Sequence, residues 1–201
     1  MKKKSDGSNG VRVLIVGVVL LCLIIGYYYY LSNKKGESTE ETAVETSAVQ
    51  EVLLYDFERS YPPSPKEVVK LFGEITMCFY NETYEEEAFQ ALAMQIQELY
   101  DAELIANKTQ NQYIEDLRWD INQMKEQKIQ VSSYATSSST DVDYFIEDGY
   151  EWAKLYCSFT LRQGKNLSVH NYVFLLREDD AGHWKIYGWM PAEDEEETQH
   201  E

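Results

Sequence analysis

The sequence lacks the patterns on which most enzyme chemistry depends. It contains three histidines and three cysteines among 201 residues, and neither type is spaced as a pair of metal ligands. No phosphate-binding loop, glycine-rich dinucleotide turn or Gly-x-Ser-x-Gly nucleophile motif occurs. We therefore expect no metal, no cofactor and no enzymatic activity.

Positive charge is also scarce. The chain has 18 Lys and Arg against 35 Asp and Glu, which gives a net charge of −17 at pH 7. Residues 1–35 are the exception, because they contain six Lys and Arg and only one acidic residue, Asp6. The acidic excess therefore lies after residue 35. An acidic surface repels the phosphate backbone, which excludes nucleic acid as a partner of the long C-terminal part.

The small number of cysteines excludes a disulfide-rich fold. Cys22 lies in an apolar run near the N-terminus, and Cys78 and Cys157 fall on apolar faces of predicted elements. We expect the last two to be buried thiols, with a single disulfide between them as the alternative.

One long uncharged run is present, Val13–Leu31. Its 19 residues would form roughly 28 Å of helix, close to the thickness of a bilayer core. The run is longer than the apolar core of a signal peptide and ends in Tyr27–Tyr30 instead of the small residues of a cleavage site. We predict an uncleaved transmembrane anchor in the lipid bilayer of the cell membrane. Residues 1–12 would be cytoplasmic and residues 32–201 extracellular, because more Lys and Arg precede the run than follow it.

The chain after the anchor divides by composition. Residues 32–60 are rich in Glu, Thr and Ser, which predicts an acidic flexible stalk. Within that range Val52–Phe57 is more apolar, so it either packs on the domain or forms a short strand. The folded domain is predicted over 61–191, and residues 192–201 are predicted to be an acidic disordered tail.

Three helices are predicted at the start of this domain. The first begins at Pro65 with Ser64 as N-cap and Glu67 as its capping-box partner. The second covers about 84–100 and the third about 109–127, each with apolar residues at a period of 3.6. The predicted buried stripes are Val68, Phe72, Ile75 and Phe79; Phe89, Leu92, Ile96 and Leu99; and Tyr113, Leu117, Ile121 and Met124.

After Lys128 the apolar period changes from 3.6 to 2, which is typical of strands. Odd positions from Ala153 to Leu161 are predicted to form the core face of the longest strand, and apolar residues on both faces of the next strand indicate a central position in the sheet. Short acidic or glycine-containing turns separate the strands. The predicted strands are Ile129–Tyr134, Val142–Ile146, Tyr150–Arg162, Leu167–Arg177 and His183–Met190.

Helices followed by hairpin-connected strands predict an α+β fold with three helices packed on a curved antiparallel sheet of about five strands. The C-terminal sequence FLLREDDAGHWKIYGW, residues 174–189, has an acidic turn with glycine before a Trp-Lys-Ile strand. This hairpin and the order of elements resemble the cone-shaped domains of the nuclear-transport-factor-2-like (NTF2-like) superfamily. The resemblance implies a cone between helices and sheet.

The whole chain is also similar to an uncharacterised family of single-pass membrane proteins of Gram-positive anaerobic bacteria. The similarity is carried by Pro65-Lys66-Glu67-Val68-Val69 with Phe72, by Leu99-Tyr100-Asp101 and Glu103-Leu104 followed by Asn107, and by Trp184-Lys185-Ile186 with Gly188-Trp189. The resemblance implies the same anchor, stalk and domain, and it implies no activity.

Domains of the cone-shaped superfamily sometimes have a site between sheet and helices. By this resemblance, four residues are candidates for lining a ligand pocket: Tyr113, Asp120, Tyr156 and His170. Their spacing does not require catalysis, so solvated acids and a satisfied strand histidine are the alternative interpretation.

Four aromatic residues fall at positions opposite the predicted core faces: Trp119, Trp152, Tyr187 and Trp189. Exposed aromatic residues often mark contact surfaces, although packing on neighbours is the alternative for Trp152 and Trp189. Our first hypothesis is a binding or scaffolding module that engages another protein or component of the cell envelope, such as a secretion-type assembly. The alternative is a small-molecule sensor or enzyme that uses the cone.

Overall fold

A computed structural model describes residues 47–192 of the chain. These residues contain five α-helices and five β-strands, all the helices preceding all the strands. The helices are α1 (Ala48–Leu53), α2 (Pro65–Asn81), α3 (Glu86–Gln97), α4 (Ala102–Ala106) and α5 (Gln110–Glu126). The strands are β1 (Ile129–Thr136), β2 (Asp143–Glu147), β3 (Tyr150–Gln163), β4 (Asn166–Glu178) and β5 (Trp184–Pro191).

The two longest helices, α2 and α5, begin where local capping predicts. The Ser64 hydroxyl accepts a hydrogen bond from the backbone N–H of Glu67 at 3.3 Å, and Pro65 occupies the first position of α2. Thr109 and Gln112 form a reciprocal capping box at the start of α5. The apolar stripes predicted for α2 and α3 are buried throughout.

The sheet is open and antiparallel, with the strand order β1-β3-β4-β5. β2 pairs with the first half of β3, on the edge that β1 occupies further along. The five antiparallel strands and the α+β class confirm the prediction, and β4 is central as predicted. The core lies between the helices and one sheet face, which we call the inner face; Leu155, Phe174 and Ile186 are among its fully buried residues.

Both cysteines of the described residues are free and buried. Burial is the main cause that raises the pKa of the Cys78 thiol to about 11 and that of Cys157 to about 12. The prediction of buried thiols is confirmed, and these thiols remain protonated at neutral pH.

The folded part begins earlier than residue 61. The helix α1 lies inside the range predicted as a flexible stalk, and its Val49 and Val52 are buried against the core. Apolar side chains at i and i+3 give this short helix a face that packs on the domain. The stalk prediction is therefore wrong for the residues from 47 onward.

The predicted anchor Val13–Leu31 lies outside the described residues, as do residues 1–12 and most of the tail 192–201. Within residues 47–192, no helix has both the length and the apolar content that crossing a membrane requires.

Candidate functional site

A cavity of about 640 Å³ lies between the inner face of the sheet and α2, α3, α4 and α5. It exists because α5 covers the sheet incompletely. Of the apolar stripe predicted on α5, only Ile121 is buried, whereas Tyr113, Leu117 and Met124 line the cavity. The α5 helix thus contributes apolar side chains to an open space and not to a filled core.

Four aromatic rings of the cavity lining, those of Phe72, Tyr100, Phe174 and Trp189, pack on one another. The Phe72 ring lies 5.2 Å from the rings of both Phe174 and Trp189, measured between centroids. Trp189 stacks on Phe174 at 5.9 Å and contacts Tyr100 at 5.8 Å. These stacked and tilted pairs are favourable geometries for aromatic rings, so they give one side of the cavity an ordered aromatic wall.

Trp189 reaches the cavity because β5 contains a β-bulge. Leu175 of β4 pairs with Gly188, but the next residue, Leu176, pairs with Ile186, so Tyr187 is an extra residue in β5. The insertion shifts the alternation of side chains by one position, which places Trp189 on the inner face opposite Phe174. The prediction that Trp189 lies opposite the core is therefore wrong.

Tyrosine hydroxyls add hydrogen-bonding groups to this apolar lining. Burial raises the pKa of Tyr80 to about 12, with a smaller contribution from the negative charge of Asp120, and burial likewise raises the pKa of Tyr113 to about 12. Burial raises the pKa of Tyr100 well above its ordinary value. All three hydroxyls are therefore neutral at pH 7 and can donate a hydrogen bond, as Tyr113 does to the Ala93 carbonyl at 3.4 Å.

Gln97, at the end of α3, presents an unpaired amide to the cavity. The residue is only 8% exposed, yet its side chain has no hydrogen-bond partner among residues 47–192. Every side-chain N or O atom of residues 47–192 that is fully closed off from solvent has a hydrogen-bond partner. The Gln97 amide has no partner, so it is not fully closed off and is open to the cavity. Sequence reasoning missed this residue. The sequence signal that could have found Gln97 is its position: it is a polar residue one helical turn after Ala93 and next to Ile96, on the buried side of the helix.

Charged and polar side chains lie at the mouth of the cavity. Lys108 Nζ forms an ion pair with Asp116 Oδ2 at 2.5 Å. Asp120, one turn further along α5, has no hydrogen bond or ion pair with any residue of the described chain. On β4, Nε2 of His170 lies 3.0 Å from the Ser168 hydroxyl. The predicted pocket residues Tyr113, Asp120 and His170 are thus brought together around one cavity.

The family model described as "Domain of unknown function (DUF6715)" matches residues 1–189. The chain belongs to the DUF6715 family. The family description names no activity. A search among curated proteins finds no match.

The fourth predicted pocket residue of this DUF6715 member, Tyr156, does not line the cavity. It lies at an even position of β3, on the sheet face turned away from the helices, which we call the outer face, and it is 48% exposed. The even positions of β3 alternate with the buried odd positions Leu155 and Cys157, so the period of 2 itself excludes Tyr156 from the inner face.

The four predicted partner-surface residues do not form one surface. Trp119 is exposed on α5, whereas Trp189 lines the cavity. Trp152 is on the outer face but buried, because Phe145 stacks on it at 6.3 Å and Tyr187 contacts it edge-on at 5.0 Å. Its indole N–H donates to the Glu147 carbonyl at 3.1 Å. The prediction of an exposed Trp152 is therefore wrong, and the alternative interpretation, that Trp152 packs on its neighbours, is correct.

Tyr187 takes part in an ionic cluster that sequence reasoning also missed. We call it the Arg177 cluster, and its members are Arg177, Asp101, Glu103 and Tyr187. Arg177 Nε and Nη2 donate to the two Asp101 carboxylate oxygens at 3.0 and 2.7 Å, and Nη1 donates to Glu103 at 2.8 Å. The Tyr187 hydroxyl donates to the other Glu103 oxygen at 2.9 Å. Hydrogen bonds from Arg177 and then from Tyr187 lower the pKa of Glu103.

The Arg177 cluster fixes α4 against the sheet. Asp101 caps α4 through the backbone N–H of Glu103, and its own N–H donates to the Ile186 carbonyl at 2.9 Å. Leu104 and Ile105 of α4 line the cavity. The cluster on the outer face therefore positions one side of the cavity on the inner face.

Proposed function

We propose that this DUF6715 chain is a small-molecule-binding domain whose ligand occupies the cavity between α5 and the sheet. The observation that supports the proposal most strongly is an aromatic cavity of about 640 Å³ with the Gln97 amide in its lining. Pockets for small molecules measure about 300–1,000 Å³ and combine apolar linings with a few polar groups that fix orientation. The Gln97 amide is open to the cavity and is free to pair with a polar group of a ligand.

Binding fits the lining better than catalysis. A general base has to lie in an apolar pocket within hydrogen-bond reach of the proton it removes. Asp120 and His170 are instead exposed at the mouth of the cavity, and the buried groups are neutral hydroxyls and an amide. These groups can orient a ligand, and they offer no proton acceptor of suitable strength at neutral pH.

We further propose that Val13–Leu31 anchors the domain in the cell membrane, with the N-terminus in the cytoplasm. The support is the length of the uncharged run and the bias of Lys and Arg before it. The superfamily of cone-shaped NTF2-like domains remains our interpretation of the architecture, because a cavity between helices and an antiparallel sheet agrees with it. Ligand binding outside the membrane would make the protein a sensor or a carrier at the cell surface.

A second candidate function, a scaffold for another envelope protein, is favoured by the outer face of the sheet. Tyr156 of β3, Val173 of β4 and Met190 of β5 lie side by side in register, and Leu167 and Val169 of β4 extend the exposed apolar area. Crosslinking in the native membrane tests this candidate. A partner that is lost in a Met190→Lys variant would support it, whereas an unchanged partner profile would contradict it.

Ligand binding is tested with the full-length chain in a small-molecule screen by thermal shift and ligand-observed NMR. The matched variants are Leu117→Trp, which fills the cavity, and Leu54→Trp, which adds the same side chain at an exposed position outside it. We expect compounds that stabilise the wild type and Leu54→Trp but not Leu117→Trp. Compounds that stabilise all three proteins equally would contradict binding in the cavity.

The topology is tested with a reporter enzyme fused after Glu201 that folds only outside the cytoplasm. We expect the fusion to be active and to lose activity when Val13–Leu31 is deleted, because the anchor directs export. A second reporter, one that is active only in the cytoplasm, is fused at the same position, and its activity would overturn the proposed orientation.

A further inference from the structure

The charges at the cavity mouth do not cancel. Lys108 is already paired with Asp116 at 2.5 Å, so its positive charge is matched. Asp120 has no partner among residues 47–192. The other basic residues of α5 point elsewhere, since Arg118 pairs with Glu86 at 2.6 Å and Lys125 lies over the Tyr84 ring. The mouth therefore has one unmatched negative charge.

The interior adds no positive charge to balance Asp120. Its polar groups are the Gln97 amide and the tyrosine hydroxyls, which are neutral. Aromatic rings, Trp189 and Tyr100 among them, line it, and aromatic rings have a negative quadrupole potential on their faces that attracts cations. A carboxylate at the mouth and aromatic faces behind it disfavour an anionic ligand and favour a cationic one.

We propose that the cavity selects a small organic cation: a protonated amine on an apolar, ring-sized body. The ammonium group would lie at Asp120 beside the Tyr80 hydroxyl, and the body would pack on Trp189, which is 42% exposed. The Gln97 amide is left to pair with a second polar group on the ligand, which would distinguish among amines. This inference rests on the proposed function and specifies the class of ligand.

General attraction has to be separated from recognition, because a chain of net charge −17 attracts every cation. Glu115 provides the control. It is exposed on the same helix, next to Asp116, and does not line the cavity. Glu115→Gln and Asp120→Asn each remove one negative charge from α5, and only the second removes it from the cavity mouth.

The test uses three probes with the same naphthalene body: 1-naphthylmethylamine, 1-naphthalenemethanol and 1-naphthoic acid. Their affinities for the full-length chain at pH 8 are measured by isothermal titration calorimetry. We expect the amine to bind about five- to tenfold more tightly than the alcohol, as one partly solvated charge pair allows, and the acid to bind more weakly than the alcohol. Asp120→Asn should abolish the advantage of the amine over the alcohol, and Glu115→Gln should keep it.

Equal affinities for amine and alcohol, or a preference for the acid, would overturn the cationic ligand and leave small-molecule binding intact. An amine preference that survives in Asp120→Asn would also overturn it. Binding of the amine that persists in Leu117→Trp would show that the compound binds outside the cavity, which would contradict the proposed function as well.

Discussion

Gly73 is a residue at which α2 closely approaches the sheet. A Cβ atom at this position would lie 2.6–2.8 Å from atoms of the Tyr134 ring on β1, closer than carbon atoms pack. The ring cannot move freely, because it contacts Phe159 at 6.3 Å and its hydroxyl donates to Glu74 at 3.3 Å. The packing of α2 against β1 therefore depends on the absence of a side chain at residue 73.

Gly73→Ala should lower the free energy of unfolding by about 1–3 kcal/mol, the usual cost of inserting atoms into a packed core. For this net loss, the free-energy cost of the clash has to exceed the gain of about 1 kcal/mol in helix propensity that alanine brings relative to glycine. Urea denaturation of the two proteins measures the difference. Gly188→Ala is the control, since a Cβ there meets no atom within 4 Å and should change stability by less than about 0.5 kcal/mol. A Gly73→Ala protein as stable as the wild type would contradict the steric argument.

The three longer helices and the five strands could be predicted because each depends on neighbouring residues. The serine cap and the apolar stripe of α2 are local, and so is the alternation along β3. The bulge in β5 could not be predicted in the same way. An extra residue inside a strand leaves the composition of the strand unchanged, so the alternation counted from Trp184 and Ile186 placed Trp189 on the wrong face.

The Arg177 cluster could not be predicted either, because Asp101 and Arg177 are 76 positions apart in the chain. Sequence showed an arginine near the end of a strand and two acids in a short helix, without a reason to pair them. α4 is only five residues long and contains no buried residue, so a helix this short depends on contacts outside itself. The cluster supplies those contacts.

Arg177→Met should destabilise the protein by about 3 kcal/mol, because it leaves the Asp101 carboxylate, 6% exposed, without its partner. Glu103→Gln should destabilise the protein much less than Arg177→Met, since the Glu103 side chain is 60% exposed and its ion pair is screened by water. Chemical denaturation gives both values. Hydrogen exchange should also show faster opening of Ala102–Ala106 in Arg177→Met. Similar losses in the two variants would contradict the role assigned to Asp101.

At the scale of the whole molecule, the cavity follows from how little of α5 is buried. The sequence showed an amphipathic helix, and three of the four predicted pocket residues, Tyr113, Asp120 and His170, indeed surround the cavity. Whether an apolar stripe fills a core or lines a space depends on the distance between two elements, which periodicity does not contain. Gln97 was missed for that reason, since its place in the cavity lining is defined by what lies opposite it.

The buried tyrosines around the cavity make the fold sensitive to alkaline pH. The pKa of Tyr80 and of Tyr113 is raised from about 10 to about 12, chiefly by burial. A raised pKa means that the folded state binds the proton more tightly than the unfolded chain, so this stability is fully present below pH 10 and is lost between pH 10 and 12. From pH 8 to pH 11 each of the two residues should cost about 1 kcal/mol of unfolding free energy.

Urea denaturation at pH 8 and pH 11 measures this loss in the wild type and in a Tyr80→Phe/Tyr113→Phe variant. Phenylalanine keeps the ring and has no proton to lose, so the double variant should lose about 2 kcal/mol less than the wild type over the same interval. It should still lose some stability, because burial also raises the pKa of Tyr84 to about 12. Losses of equal size in the two proteins would show that Tyr80 and Tyr113 ionise as they do in the unfolded chain, and the burial of these two side chains described above would then be incorrect.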